Sequence, residues 1–428
     1  MTDELKAYSG SPRITTEYRD CSMPFSFDQH KGCGFKCLYC FAYFQRYANS
    51  MSKDDYQKNL VRVVDVKRIL NLLDGKATNR IDKFFYKNFI SKRKIIQWGA
   101  LGDPFCWIEK EKGTGLPILQ KLAEMKYPVS LSTKGTWFVD DERYMNCFKK
   151  SPETFHVKFS IITSDEKKAK EIEQAVATPK ERFRAMKKLS DIGVATTLRL
   201  RPFLIGLTDL NLEETIKSAK EAGAISVSTE FFCLETRMAF KLKQRYKDLN
   251  KILGYDLVKF YQRHSIRTTS YLRLSREIKA PYVKQLQDLC LKYGLKLYVS
   301  DPDFKEISCH GACCGLPQTK EFDNYNKGQW TELIVYMREN KKKTITWTEF
   351  LELNKEDFEW QKELHVSEYV NCGSARGHYL QKNKTMYNHT HNLWNDPNNP
   401  NSPYKYFRGT FVPKGTDEKG DMTYELVR

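Results

Sequence analysis

The chain has 428 residues, 40% hydrophobic, 13% aromatic and 29% charged, which is ample for a barrel-sized core and unlike the composition of a disordered chain. No run approaches the roughly 18 consecutive apolar residues of a membrane span, and the stretch up to Arg19 is polar and mixed in charge, which argues against a membrane protein or a secretory signal and points to the cytoplasm. The 71 Lys and Arg outnumber the 53 Asp and Glu, and the net charge of +18 favours an anionic partner such as nucleic acid or a nucleotide, although basic runs at 167–170 and 341–343 suit solvated helix faces equally well.

From residue 23 to 235 short β-rich runs alternate with amphipathic, charge-decorated stretches, the pattern of repeated βα units on a parallel sheet. Six strands are expected at 23–27, 95–101, 129–133, 157–162, 195–201 and 225–231. A helix over 179–192 starts on a proline, places Phe183, Met186, Leu189 and Ile192 near one face, and stops at Gly193. A second over 212–222 follows Asp209 and stops at Gly223. Residues 236–294 read as mostly helical and basic, and 295–299 as a further strand. Beyond Lys382 the composition turns to Asn, Pro, Tyr and His, and the segment 389–403 reads as an irregular tail wrapping a surface. The division expected is an N-terminal segment (1–22), a βα core (23–235), a helical and strand extension (236–308), and a cysteine-containing region with an aromatic, basic tail (309–428).

Twelve cysteines in a chain of this kind speak for thiolates that bind metal or do redox work. The segment 31–44, KGCGFKCLYCFAYF, places Cys33, Cys37 and Cys40 in one loop directly after the first expected strand. Three thiolates leave one iron of a cubane cluster without a protein ligand, and that iron can chelate and activate a small molecule. A zinc site is the competing reading; it normally closes with four ligands, and the nearest fourth candidates in sequence are His30 and Cys21.

The Cys-x₃-Cys-x₂-Cys spacing, with Tyr39 before the last cysteine and Gly32 and Gly34 in the loop, resembles the radical S-adenosylmethionine (SAM) superfamily, and most of all its spore photoproduct lyase and DNA-photolyase-like branch. The resemblance implies an α/β fold, a partial (β/α)₆ TIM-like barrel with a C-terminal extension, holding a [4Fe-4S] cluster on Cys33, Cys37 and Cys40 with SAM across the strand ends. It also implies reductive cleavage of SAM to a 5′-deoxyadenosyl radical that takes a hydrogen from the substrate, fed by a reductant protein such as flavodoxin or ferredoxin. Candidate SAM contacts sit at WGALGDP (98–104), STKG (132–135) and KFSI (158–161). Lys134 and Ser160 match the family's SAM-contacting Lys and Ser, and Tyr39, Gly99 and Asp103 complete the expected cofactor set. Arg199 and Arg201 alternate onto one face of the fifth strand, where an inward Arg would clamp the SAM carboxylate.

The target of the radical is less explicit. The branch named above uses a cysteine near the end of the second strand as a hydrogen donor; here Cys106 lies several residues beyond that position, and Cys233, after the sixth strand, is the other candidate. Both equally suit inert, buried thiols. The segment 308–317, SCHGACCGLP, offers Cys309, Cys313 and Cys314 with His310 for a second iron–sulfur cluster or a zinc ion, completed by Cys372 or Cys290; a tight turn of small residues is the plainer account. The leading expectation is an enzyme acting on a nucleobase, in nucleic acid or a nucleotide. The rivals are a maturase of a peptide or small metabolite with an auxiliary cluster, and a non-catalytic, zinc-stabilised nucleic-acid-binding protein.

Overall fold

The computed structural model describes residues 12–15, 17–42, 62–236, 243–268, 271–364 and 385–427. The chain divides into two compact units. The first comprises residues 1–12, 25–297 and 315–324; the second comprises 13–24, 298–314 and 325–428.

The first unit is built on six consecutive strands: β1 (Phe25–Phe27), β2 (Ile96–Trp98), β3 (Val129–Thr133), β4 (Phe155–Ser160), β5 (Ala195–Phe203) and β6 (Ser226–Phe231). They lie side by side in chain order, each parallel to the next. Every residue of β3 and β4 is buried, which is the signature of strands covered on both faces. A further strand, β7 (Lys296–Val299), begins where the Lys296 N–H donates to the Ile225 carbonyl at 3.3 Å. The observed strands start or stop within about two residues of those expected for β1, β3, β4, β5 and β6, and β2 is shorter.

Helices supply the crossovers. They are α1 (Val66–Leu73) before β2, α2 (Leu116–Glu124) before β3, α3 (Glu142–Lys150) before β4, α4 (Glu166–Ile172) and α5 (Pro179–Asp191) before β5, and α6 (Leu212–Glu221) before β6. Thr178 caps α5 in a reciprocal capping box with Glu181, and Pro179 occupies the first turn, where its missing N–H costs nothing. The buried face of α5 is Arg182, Ala185, Met186 and Leu189, while Phe183 and Ile192 are only half-buried. The expected face is thus rotated: a charged residue takes an inward position because it has a buried partner, described below. After β6, the helices Lys243–Leu253, Leu257–His264 and Arg276–Lys292 appear as expected, but a hairpin of Ser265–Thr268 and Tyr271–Leu274 interrupts them.

A polar ladder runs across the sheet. Ser130 Oγ meets His156 Nδ1 at 2.9 Å, His156 Nε2 meets Thr197 Oγ1 at 2.7 Å, and Thr197 Oγ1 meets Ser226 Oγ at 2.7 Å. Thr197 also donates to the Gly315 carbonyl at 3.3 Å, so the segment 315–324 is tied to this face of the sheet. Burying hydroxyls and an imidazole is tolerable here because each finds a partner.

The second unit has its own aromatic core, with Trp330, Leu333, Ile334, Trp347, Phe350, Trp394, Phe407, Phe411 and Tyr424 all buried together. The segment expected to be an irregular tail is therefore ordered: Met386–Asn395 is a helix capped by Thr385, and Phe411–Thr416 pairs antiparallel with Met422–Leu426. Its polar composition hid the pattern, because Met386, Thr390, Leu393 and Trp394 repeat at helical spacing between Asn and His residues. No helix among the described residues is long and apolar enough to cross a membrane.

Candidate active site

The cysteine loop leaves β1 through a short antiparallel pairing of His30–Lys31 with Arg62–Val63. The loop is then clamped by the chain just after α4. The Leu38 N–H donates to the Ile172 carbonyl at 2.9 Å, the Ala175 N–H to the Phe35 carbonyl at 3.4 Å, and Cys37 and Glu173 form an isolated antiparallel bridge. From the helix that follows β6, Arg245 donates to the carbonyls of Cys37 and Leu38. The loop backbone is held from several sides, which leaves its thiols as the groups able to reorient.

Cys37 donates weakly to the Phe35 carbonyl at 3.9 Å. Burial pushes its thiol well above the usual range, and the nearby Lys134 cation opposes that shift. Cys33 hydrogen-bonds to Cys106; that bond, together with burial, raises Cys33, while the same bond lowers Cys106. Cys106, several residues past β2, is therefore brought against the loop. Among the described residues no three Cys, His, Asp or Glu side chains are gathered closely enough to hold a metal ion, and this includes Cys33, Cys37 and Cys40. The donor set still suits an iron–sulfur cluster: three soft thiols on one pinned loop, with a lysine ammonium beside one of them.

A buried ionic chain runs from this loop to the ends of β4 and β5. The Tyr39 hydroxyl donates to Glu173 Oε1, and Lys134 Nζ lies 3.9 Å from the same carboxylate and 5.7 Å from the centre of the Tyr39 ring. Arg182 Nη2 pairs with Glu173 Oε2 at 2.7 Å, and both side chains are 1% exposed. Arg182 Nη1 donates to the Ser160 carbonyl at 2.6 Å, and Arg199 Nη1 donates to Ser160 Oγ at 3.2 Å. The β4–β5 register sets this last contact, because Ser160 and Arg199 are direct neighbours. Tyr39, Lys134, Ser160 and Arg199, separate in sequence, thus belong to one network. Glu173 and Arg182 are the members that sequence reading missed; the only available signal was an Arg on the apolar face of α5.

The loop after β2 is fixed by two carboxylates. Asp28 accepts from the Leu101 and Gly102 N–H groups at 3.0 and 2.9 Å. Asp103 accepts from Thr133 Oγ1 at 2.7 Å, the Lys134 N–H at 2.6 Å and the Phe105 N–H at 2.9 Å. Those bonds make Asp103 the strut that sets the position of Lys134. Gly99 has φ +84°, and a Cβ there would lie 2.6 Å from the Ser132 carbonyl oxygen, so only glycine turns the chain at this strand end.

Arg201 takes a different direction from Arg199. Its Nη1 lies 3.9 Å from Glu230 Oε2, and Arg273 approaches Glu230 Oε1 at 3.4 Å. Cys233 follows β6 with its thiol 3.6 Å from the Phe231 carbonyl. Cys309, Cys313 and Cys314 belong to the second unit, and Cys372 lies outside the described residues.

Residues 30–219 match the model of the Radical SAM superfamily. Among solved structures, the chain is similar to a spore photoproduct lyase double mutant with bound AdoMet and dinucleoside spore photoproduct (14% identity, 70% of this chain and 80% of that one, TM-score 0.47). It is also similar to Streptococcus suis SuiB bound to precursor peptide SuiA (16% identity, 67% and 60%, TM-score 0.37). A third is the radical S-adenosylmethionine methyltransferase TsrM from Kitasatospora setae with tryptophan substrate and a SAM analogue (10% identity, 74% and 58%, TM-score 0.38). Comparison with curated protein sequences gives no match. The reading of the cysteine loop as part of a non-catalytic zinc protein gives way to this domain match: the chain carries a Radical SAM superfamily domain over residues 30–219.

Proposed function

We propose that this enzyme uses a [4Fe-4S] cluster on Cys33, Cys37 and Cys40 to activate SAM for hydrogen abstraction from a nucleobase, in nucleic acid or a nucleotide. When bound, the cluster supplies the electron that cleaves the SAM sulfonium bond to a 5′-deoxyadenosyl radical. The observation that carries the reading is the ionic chain from Tyr39 through Glu173 and Arg182 to Ser160 and Arg199, which joins the cysteine loop to the strand ends.

Along that chain each residue has a task. Arg199 offers guanidinium N–H groups to the SAM carboxylate, and Ser160 Oγ orients that guanidinium. Lys134, set by Asp103, places a positive charge beside Cys37 and offsets the charge of a reduced, thiolate-bound centre. Gly99 lets the β2 loop turn tightly at the strand end. Cys106, buried beside Cys33, and Cys233, at the end of β6, are the candidate hydrogen donors to a substrate radical. A flavodoxin or ferredoxin is the expected electron source.

The net charge of +18 supports a nucleic acid or nucleotide substrate over a neutral metabolite. Anaerobic incubation with SAM, dithionite and oligonucleotides, followed by mass spectrometry, tests the proposal. 5′-Deoxyadenosine together with an altered nucleoside supports it; 5′-deoxyadenosine with unaltered nucleosides from every oligonucleotide, DNA and RNA, removes the nucleobase assignment and leaves the radical chemistry. In that case the thiols at 309–314 favour a peptide or small-metabolite maturase.

A further inference from the structure

We propose that the second unit holds a metal centre of its own, bound by the thiolates of Cys21, Cys309, Cys313 and Cys314. The sequence motif offers only three of these thiols, from one turn. The fourth, Cys21, comes from the other end of the chain and is brought to them by the fold of the unit.

Four hydrogen bonds hold the Cys21 segment there. Asn326 donates through Nδ2 to the Cys21 carbonyl at 2.9 Å and through its backbone N–H to the Ser22 carbonyl at 2.8 Å. The neighbouring Asp20 accepts from the Thr331 N–H at 3.0 Å and from Tyr406 at 2.9 Å. Tyr325, the residue before Asn326, stacks on His310 with ring centroids 5.5 Å apart, which sets the Cys21 segment beside the turn that carries Cys309, Cys313 and Cys314. Cys313 and Cys314 are buried, whereas Cys309 is exposed, so one edge of the set is open to solvent.

An independent observation points to a ligand at the same place. Gln329 is fully buried, yet neither its Nε2 nor its Oε1 has a hydrogen-bond partner among the described residues. Its Nε2 lies 3.5 Å from where a Cβ on Gly311 would sit, inside the turn between Cys309 and Cys313. An unpaired buried carboxamide is costly, and a metal-bound thiolate beside it would accept the N–H it has to give.

His310 is not one of the ligands in this assignment. Its Nδ1 accepts from the Ala312 N–H at 3.0 Å, so the proton of the neutral ring is on Nε2, and the ring stacks on Tyr325 with centroids 5.5 Å apart. The thiols, like those of Cys33, Cys37 and Cys40, are not gathered around a common point, and side-chain rotation would complete the site. Four thiolates suit either a zinc ion or an iron–sulfur cluster.

The test uses full-length protein in which Cys33→Ala, Cys37→Ala and Cys40→Ala together remove the first cluster. Produced with zinc and iron both supplied and purified anaerobically, this variant is expected to retain about one zinc per chain, or iron with matching sulfide and visible absorption. Adding Cys21→Ala or Cys313→Ala should reduce that metal at least about tenfold. Absence of metal in the triple variant, or metal indifferent to both further substitutions, overturns the proposal. Alkylation of the unaltered chain covers variants that fail to fold. Cys309, though exposed, should resist iodoacetamide until the metal is removed by chelation, and equally rapid labelling before and after chelation overturns the proposal. The first cluster plays no part in either readout, so failure here leaves the radical SAM assignment standing.

Discussion

Glu173 lies across a backbone bridge from Cys37 while its carboxylate accepts the Tyr39 hydroxyl and pairs with Arg182 at 2.7 Å. One residue after α4 thus grips the cysteine loop by both main chain and side chain.

Replacing Glu173 with Gln keeps the shape and removes the charge, leaving Arg182 buried without its counter-ion. Breaking a buried pair in this way costs about 3–5 kcal/mol, whereas Tyr39→Phe, which deletes one hydrogen bond, should cost about 1 kcal/mol. Urea titration of the two variants measures the difference. Equal midpoints for Glu173→Gln and the parent would show that the pair does not anchor the loop.

Arg199 tests the cofactor assignment. Arg199→Met should leave iron content unchanged and weaken SAM binding about tenfold or more, the value of one charge-assisted hydrogen-bonded contact. Isothermal titration of the cluster-loaded protein with SAM reads this directly. Unchanged affinity would assign Arg199 to holding Ser160 alone.

His156 makes stability depend on pH. Burial holds its imidazole well below the ordinary value of 6.5, so the folded state keeps the ring neutral while the unfolded state protonates. The unfolded state then binds more protons as pH falls through 6.5. The contribution is full above that pH and declines below it, by up to about 1.4 kcal/mol for each further unit until the folded pKa is reached. Urea midpoints at pH 7.5 and 5.5 should differ accordingly for the parent and less for His156→Gln. An identical pH response in both would exclude His156 as the source.

The second unit owes its core to aromatic packing. Trp394 is fully buried against Trp347, Phe350 and Tyr424, and Trp394→Ala should destabilise that unit by about 3–5 kcal/mol. Thermal unfolding followed by tryptophan fluorescence checks it. A variant as stable as the parent would mean that the tail does not complete this core.

Local pattern was enough for the βα repeat, the six strands, the ends of α5 and the grouping of three cysteines in one loop. Each depends on residues close in sequence: Pro179 and Gly193 punctuate a helix, and Cys33, Cys37 and Cys40 lie within a single turn of chain. Lys134 and Ser160 are singled out by the resemblance of STKG and KFSI to the family's motifs, and the structure joins both to the network around Glu173.

Tertiary structure decided what those residues touch. Glu173 and Asp28 look like ordinary surface charges in the sequence, since nothing local distinguishes a buried carboxylate from an exposed one. Strand register placed Ser160 beside Arg199, and loop packing brought Cys106 to Cys33. The helix Met386–Asn395 escaped notice for a related reason: its apolar stripe is narrow, and only a facing core gives that stripe its meaning. The sequence by itself therefore determined the radical SAM domain, through a motif whose cysteines are neighbours. The ionic chain that braces it depends on residues far apart in sequence, because long-range charge pairing leaves no local period to read.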